Sequence, residues 1–177
     1  DESASVPDGF ARWEKTNVIK QSQSGFNSAF IGLEAGDITA NQLRSVAEII
    51  RDYSAEGFAR NGFSQNIVIR YVHDDDLKSM YSRLIENGLA KTGSLTMASA
   101  VGCSGTTSCN LALTNSHRLA KEVQRKFLEL NLDEDDDLKD STIKISGCPN
   151  SCGQHQIATI GFYGGGGRHG TDMFPNY

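Results

Sequence analysis

The four cysteines of this chain fall in two short segments, and their spacing is its strongest chemical signal. The first segment reads VGCSGTTSCNLALTNS and places five residues between Cys103 and Cys109. The second reads ISGCPNSCGQHQ and places three residues between Cys148 and Cys152. Small residues between the first two cysteines let the backbone wrap closely around a bound group. The pattern therefore predicts two thiol pairs that converge on one metal centre.

Spacing alone leaves three kinds of thiol chemistry open. A disulfide framework is disfavoured because the chain is long for one and shows no secretion signal. Structural zinc pairs usually have about two to four intervening residues, so the spacing of Cys103 and Cys109 is loose for zinc. A four-cysteine iron–sulfur cluster is a wider object and suits larger, unequal spacings. The spacing favours a cluster, with zinc second and redox-active thiols third, and does not decide between them.

Composition limits the classes of protein to which the chain can belong. Its 177 residues are 38% hydrophobic and 22% charged, which suits one or two small soluble domains. The formal net charge of −5 argues against a nucleic-acid-binding protein. No stretch has the length and hydropathy of a membrane span or a signal peptide. We therefore predict a cytoplasmic protein in which any bound anion meets a local cluster of Arg and Lys.

The elements of the first ninety residues alternate between strand and helix. The predicted elements are a strand at 25–36, a helix at 38–54, a strand at 65–72 and a helix that ends at 87–88. Thr39 and Gln42 form a capping-box pattern at the start of the first helix. Asp74 or Asp75 is expected to cap the second helix. This order suits a ferredoxin-like α+β half-domain.

The second part of the chain repeats the alternation around the cysteines. The predicted elements are a strand at 94–102, a long helix at 110–131, an acidic connector at 132–140 and strands at 142–147 and 157–164. Both cysteine pairs are then expected at strand-to-helix junctions. Cys109 would open a helix whose dipole favours the thiolate. Cys148 and Cys152 would lie on one side of a helical turn, with Pro149 at its first position.

These elements predict three segments. Residues 1–24 form a linker or N-terminal extension, residues 25–92 the half-domain, and residues 93–177 an α/β domain that holds the metal centre. The Gly-rich sequence after Tyr163 has no closing element, which indicates a domain truncated at its C-terminus and a piece of a larger polypeptide. Phe10 and Trp13 are expected to be packing residues.

The cysteine motifs resemble those of a known family. CSGTTSC followed by SGCPNSCGQHQIATIGF is similar to the signature of the sirohaem-containing nitrite and sulfite reductases. In that family the two motifs bind a 4Fe–4S cluster. The upstream segment from Gly36 to Val72 resembles the ferredoxin-like half-domain that precedes the cluster domain. The likeness extends over roughly residues 10–164.

The resemblance implies a role for several residues of the second domain. The implied cluster ligands are Cys103, Cys109, Cys148 and Cys152. Cys152 would also bridge the cluster to the sirohaem iron, and Asn150 would lie beside the cluster.

Further residues match the family's R-x-T-x-x-Q-N segment near the sirohaem, namely Arg60, Gln65 and Asn66. Gly62 departs from the pattern, since the family usually has Thr there. The carboxylates of sirohaem and the anionic substrate require nearby cations, and the candidates are Arg60, Arg70, Arg118, Lys144 and Arg168. No catalytic residue is assigned.

The resemblance implies an oxidoreductase that reduces nitrite to ammonia or sulfite to sulfide with six electrons. It implies 4Fe–4S and sirohaem cofactors, a small anionic substrate and an electron donor, either ferredoxin or a flavoprotein. It also implies a pseudo-symmetric second half as the partner, without which this chain is expected to be inactive. The alternative is a non-catalytic structural module that zinc or a cluster stabilises.

Overall fold

A computed structural model describes residues 6–177, which form two compact units that divide between Leu95 and Thr96. The first unit contains α1 (Phe10–Asn17), β1 (Val18–Lys20), β2 (Phe26–Ile31), α2 (Ala40–Tyr53), β3 (Ala59–Asn61), β4 (Ile67–His73) and α3 (Leu77–Glu86). The second contains β5 (Val101–Gly102), α4 (Ser116–Glu129), β6 (Ile143–Ser146), β7 (Ile160–Tyr163), β8 (Gly165–His169) and β9 (Asp172–Asn176).

The first unit is an antiparallel sheet with the strand order β1-β2-β4-β3. Its core contains side chains from α1, β2, α2, β4 and α3, among them Trp13, Ile31, Ile49, Ile69 and Leu84, all completely buried. Burial of each large apolar side chain contributes about 1.5–3 kcal/mol. This mixed helix and strand arrangement agrees with the α+β class predicted for residues 25–92.

The predicted start of α2 is confirmed. Thr39 Oγ1 accepts a hydrogen bond of 3.2 Å from the Gln42 amide, and Gln42 Oε1 accepts one of 3.1 Å from the Thr39 amide. These reciprocal bonds satisfy backbone donors that the first turn of a helix leaves without partners.

Two predictions for the first unit are wrong. Much of the expected linker at 1–24 is ordered as α1 and β1, because Phe10 and Trp13 bury their rings against Tyr81; residues 1–5 lie outside the described part. Neither Asp74 nor Asp75 caps α3: both lie in a short 3₁₀ turn, Asp74–Asp76, and Asp76 at the N-cap of α3 makes no side-chain cap hydrogen bond. The 3₁₀ turn itself is capped by His73, whose Nδ1 accepts from the Asp75 amide at 3.3 Å.

The second unit has a parallel sheet in the order β5-β6-β7, with α4 packed against β5 and β6. The strand predicted at 94–102 is limited to its last two residues. Thr96 accounts for part of the difference, because its hydroxyl accepts from the Ala98 amide and its carbonyl accepts from the Ser99 amide. Such local hydrogen bonds form turns in competition with a strand ladder.

The Gly-rich sequence near the C-terminus forms the antiparallel hairpin β8–β9 and not an open loop. Within residues 6–177, no helix is both long and apolar enough to cross a membrane.

Candidate metal centre

The parallel pairing of β5 and β6 brings the two cysteine segments to the same edge of one sheet. Val101 pairs with Lys144 and Gly102 pairs with Ile145. Cys103 follows β5 directly, and Cys148 lies two residues after β6. Since parallel strands end at the same edge, this register explains why chemistry carried by two distant segments can meet.

Hydrogen bonds join the two cysteine segments directly. The Cys103 amide donates to the Ile145 carbonyl at 3.1 Å, and the Gly147 amide donates to the Cys103 sulfur at 3.1 Å. The Gly147 carbonyl in turn accepts from the amides of Leu113 and Thr114, at 2.8 and 3.1 Å. Both backbone groups of Gly147 therefore hold the first cysteine segment against the second.

Glycine at position 147 is required by space. A Cβ there would lie 3.0 Å from the Gly105 Cα and 3.0 Å from the Thr114 carbonyl oxygen, both backbone atoms, and 3.2 Å from the Ala112 Cβ. Backbone atoms cannot move aside as a flexible side chain can. The close contact between the segments therefore depends on the missing side chain.

The bonds of Gly147 also explain why the long helix predicted from Cys109 is wrong. The amides of Leu113 and Thr114 donate to the Gly147 carbonyl and not to a helical partner, so the helix begins at Ser116. The side chain of Asn115 caps it by accepting from the Arg118 amide at 3.0 Å. Cys109 thus lies in a loop, and the argument from a helix dipole does not apply to its thiol.

The second segment is a tight loop and not the predicted helical turn. Ser151 and Gln154 have φ values of 62° and 58°, in the left-handed region that an α-helix excludes. Ser146, which is 1% exposed, closes the loop: its hydroxyl accepts from the Gly153 amide at 3.1 Å and lies 2.9 Å from His155 Nδ1. His155 also stacks on Tyr163, with 5.1 Å between ring centroids.

The four thiols are free and differ in exposure. Cys148 is buried, Cys103 and Cys109 are partly buried, and Cys152 is exposed. In the described part of the chain, no three His, Cys, Asp or Glu side chains are grouped closely enough to bind a single metal ion. The convergence of all four sulfurs on one cluster stays a prediction.

Side chains from the C-terminal hairpin and α4 lie beside the first cysteine segment. Burial raises the pKa of Tyr177 above 10.0, opposed by its hydrogen bond with Thr114 and reinforced by the nearby charge of Cys103. Tyr177 and Arg118 line the same cavity of about 300 Å³. The cation predicted at Arg118 is therefore close to this segment.

The other predicted cations of the second unit differ in their surroundings. Lys144 donates to Gln154 Oε1 at 2.7 Å and so contacts the loop after Cys152. Arg168 lies on β8 and is exposed. Asn150 is exposed in the turn that follows Pro149. Their contacts with a cofactor stay predictions.

The site residues predicted in the first unit lie on β3, in the turn before β4 and, for Arg70, on β4 itself. Arg60 forms an ion pair with Glu56 and places its guanidinium 4.6 Å from the centre of the Phe58 ring. Arg70 lies 5.0 Å from the ring centre of Tyr71 and 4.0 Å from Glu56.

Asn66 has a structural role. Its buried amide accepts from Leu33 N at 3.4 Å and donates to the Ser94 carbonyl at 3.1 Å. Gln65 adopts a left-handed conformation with φ of 59°, and Gly62 accepts from its amide at 3.2 Å. The cofactor contacts predicted for Gln65 and Asn66 stay predictions.

A separate cavity of about 490 Å³ lies in the first unit, and no predicted site residue lines it. An ion pair of 3.3 Å between Glu34 and Lys91 and the Thr39–Gln42 capping box form part of its wall. The polar groups of these residues are bonded to one another within the fold.

Sequence reasoning missed three residues near the cysteines: Ser116, Ser146 and Tyr177. Ser116 and Ser146 gave no signal, because a serine beside a turn is ordinary and their partners are far away in sequence. Tyr177 lay in a segment predicted to be an open, Gly-rich end.

Comparisons with known proteins show similarity to nitrite and sulfite reductases. The family model described as "Nitrite/Sulfite reductase ferredoxin-like half domain" matches residues 19–87. The chain is 28% identical to a ferredoxin–nitrite reductase of Synechococcus elongatus, covering 86% of this chain and 29% of that protein. It is 25% identical to a sulfite reductase [ferredoxin] of Mycolicibacterium paratuberculosis, covering 82% of this chain and 26% of that protein.

Solved structures agree with this relationship. The NirA protein of Mycobacterium tuberculosis matches with a TM-score of 0.69 and 26% identity, over 90% of this chain and 29% of NirA. Dissimilatory sulfite reductase I shares the fold, with a TM-score of 0.58 and 19% identity, over 81% of this chain and 33% of that one. The chain thus spans about a third or less of these relatives' length. Its residues 19–87 match the ferredoxin-like half domain of nitrite and sulfite reductases, and the chain is similar to these enzymes over most of its own length.

Proposed function

We propose that this chain forms the cluster-binding part of a reductase that converts nitrite to ammonia or sulfite to sulfide. In this proposal Cys103, Cys109, Cys148 and Cys152 ligate a 4Fe–4S cluster, and Cys152 also reaches the iron of sirohaem. Each reaction consumes six electrons, takes up the protons needed to balance them and releases the substrate's oxygen as water. The electrons come one at a time from a reduced protein donor.

The observation that carries the proposal is the direct contact between the two cysteine segments. The register of β5 with β6 and both backbone bonds of Gly147 bring Cys103 and Cys148 to one sheet edge. Four thiols on two abutting loops are the donor set that a 4Fe–4S cluster takes.

The exposure of the thiols supports the role proposed for Cys152. A thiolate shared between the cluster and the sirohaem iron must be accessible from outside the cluster. A thiolate that binds only the cluster can be buried. Cys152 is exposed and Cys148 is buried, in agreement with that division. Asn150, exposed in the same loop, is available to the cofactor.

The cations beside this site are placed to attract anions. Arg118 and Lys144 lie in the same unit as the cysteines, and Arg118 lines the cavity next to the first segment. When bound, the cluster supplies single electrons and the sirohaem iron supplies the position where the anion binds. The chain's own part is to hold the thiolates, to donate the Gly147 amide to one of them, and to surround the carboxylates and substrate with positive charge.

The names of the relatives suggest the donor. The cyanobacterial and mycobacterial relatives are named for ferredoxin. We propose ferredoxin as the donor here, with a flavoprotein as the alternative. The segments that the relatives possess beyond this chain are proposed to supply the remaining wall of the site.

Anaerobic reconstitution of the chain with iron and sulfide tests the proposal. We expect about four irons and four sulfides per chain and the absorption and electron paramagnetic resonance of a 4Fe–4S cluster. A variant with Cys103→Ala and Cys148→Ala is the control and should bind neither. A colourless chain that binds one zinc and no cluster would contradict the proposal.

A further inference from the structure

The sulfur of Cys103 has two hydrogen-bonding neighbours of different kinds. One is the Gly147 amide at 3.1 Å, a donor fixed by the backbone. The other is the hydroxyl of Ser116, whose oxygen lies 3.1 Å from the sulfur. Ser116 Oγ also lies 2.9 Å from the Cys103 carbonyl oxygen and can donate to it. The side chain of Ser116 is therefore within reach of two acceptors on one residue.

The hydroxyl carries one proton, so it donates to one of these acceptors at a time. When Cys103 is a thiol, its S–H can donate to Ser116 Oγ while the hydroxyl donates to the carbonyl. When Cys103 is a thiolate, the sulfur only accepts, and rotation about the Cβ–Oγ bond turns the hydroxyl proton toward it. Ser116 is thus a rotatable donor whose direction depends on the charge on sulfur.

Burial makes this donor effective. Ser116 is 0% exposed, so water does not compete for the hydroxyl. The residue is also held in place, because it opens α4 and its backbone contacts Gly102 and Gly105 closely. A hydrogen bond to a charged acceptor is stronger than one between neutral groups, and it is stronger still where the effective dielectric constant is low.

We propose that Ser116 sets the reduction potential of the cluster through its hydrogen bond to the Cys103 sulfur. This inference rests on the proposed function. Reduction adds one electron to the cluster and increases the negative charge on its ligand sulfurs. A donor to one of these sulfurs stabilises the reduced form more than the oxidised form, so it raises the potential. Ser116 is a positioning residue in this role, since it acts through Cys103.

The test compares the reconstituted wild-type chain with Ser116→Ala, Ser116→Thr and Ser108→Ala. Ser116→Ala removes the hydroxyl, and Ser116→Thr keeps it. Ser108→Ala is the matched control, because it removes a hydroxyl next to Cys109 from an exposed residue. Redox titration followed by electron paramagnetic resonance gives the potential, and hyperfine spectroscopy in H₂O and D₂O detects exchangeable protons near the reduced cluster.

We expect Ser116→Ala to shift the reduction equilibrium about tenfold toward the oxidised form. This corresponds to a reduction potential that is ~59 mV lower for a one-electron couple. One exchangeable proton coupling should disappear with it. Ser116→Thr should retain both properties, and Ser108→Ala should leave both unchanged.

Three results would overturn the inference. An unchanged reduction potential in cluster-loaded Ser116→Ala would overturn this inference and leave the proposed function standing. Loss of the cluster in Ser116→Ala, with α4 still present by circular dichroism, would show that the serine only holds Cys103 in place. A wild-type chain that assembles no cluster would overturn the proposed function and this inference with it.

Discussion

The Gly147 amide donates a hydrogen bond to the Cys103 sulfur across 44 residues of sequence. The contact joins the loop after one parallel strand to the loop after its neighbour. It sets the first cysteine segment against the second through groups that both belong to the protein. A change at either residue should therefore alter how the two loops meet.

Substitution Gly147→Ala should destabilise the second unit. The added Cβ would lie 3.0 Å from two backbone atoms, so the two segments would have to separate. We expect a loss of about 1–3 kcal/mol in the free energy of unfolding, measured by urea denaturation. Gly166→Ala is the control, because its Cβ would meet only the flexible end of Met173 at 3.3 Å. Equal stabilities of the two variants would contradict the steric argument.

Serine substitutions should separate the roles of Cys103 and Cys152. We expect Cys103→Ser to lower cluster content several-fold, because it removes a ligand held by two hydrogen-bonding neighbours. Cys152→Ser should instead remove the magnetic coupling between cluster and sirohaem. The measurement is electron paramagnetic resonance of the longer polypeptide with both cofactors bound. Normal coupling in Cys152→Ser would contradict the bridging role.

The chain by itself should not reduce nitrite or sulfite in repeated turnovers. It spans 29% of the cyanobacterial nitrite reductase that it matches, so other segments are expected to cover the rest of the site. An anion left open to water is screened from the protein's cations, which weakens the stabilisation of developing charge. The assay is product formation with reduced methyl viologen after loading with both cofactors. Turnover at the rate of a complete enzyme would refute this prediction.

Substitution Asn17→Ala should unfold the first unit more easily. The Asn17 amide nitrogen is within 2.7–2.8 Å of the Phe30 carbonyl, the Lys91 carbonyl and the Ser94 hydroxyl, and the residue is completely buried. Loss of these bonds leaves buried acceptors without a donor, and we expect a cost of about 2–4 kcal/mol by urea denaturation. Asn41→Ala, on an exposed surface of α2, is the control. A cost under about 0.5 kcal/mol would show that the bonds are dispensable.

Alkaline pH should destabilise the first unit through Tyr81. Burial, and secondarily the carboxylate of Asp8, raises the pKa of the Tyr81 phenol above 10.0. The unfolded chain then loses this proton at a lower pH than the folded chain. The stability contributed by the protonated Tyr81 phenol is fully present below pH 10.0, and it is lost as the pH rises through the pKa of the folded state. Denaturation between about pH 9 and 11.5 should show a less steep decline for Tyr81→Phe, and parallel curves would contradict the assignment.

Local signals in the sequence predicted much of the fold. The capping box of Thr39 and Gln42 and the apolar spacing after it identified α2, since both act within one helix. The β-rich runs identified β4 and β6, since strand propensity is also a property of a short local segment. The start of α4 could not be predicted, because the competing bonds from Leu113 and Thr114 go to Gly147, more than thirty residues away.

The proposed ligands of the candidate site follow from the sequence, whereas the surroundings of the cysteines could not be predicted from it. The spacing of four cysteines pointed to a metal centre because ligand chemistry depends on residue type. The left-handed conformations of Ser151 and Gln154 gave no signal, since neither residue is glycine. The contacts of Ser116 and Ser146 arise only after β5 and β6 pair, so they depend on tertiary structure.

The hydroxyl of Ser146 has a consequence for how the proposed metal centre would load. Its contacts with Gly153 and His155 tie the start of the second cysteine loop to its end through groups of the protein itself. The loop-closure entropy of these contacts belongs to folding, so it would not have to be lost again when iron binds. Metal insertion at this loop would then resemble docking into a rigid receptor more than coupled folding and binding. Less of the metal's binding free energy would be consumed in ordering the chain, and more would be left to hold the metal.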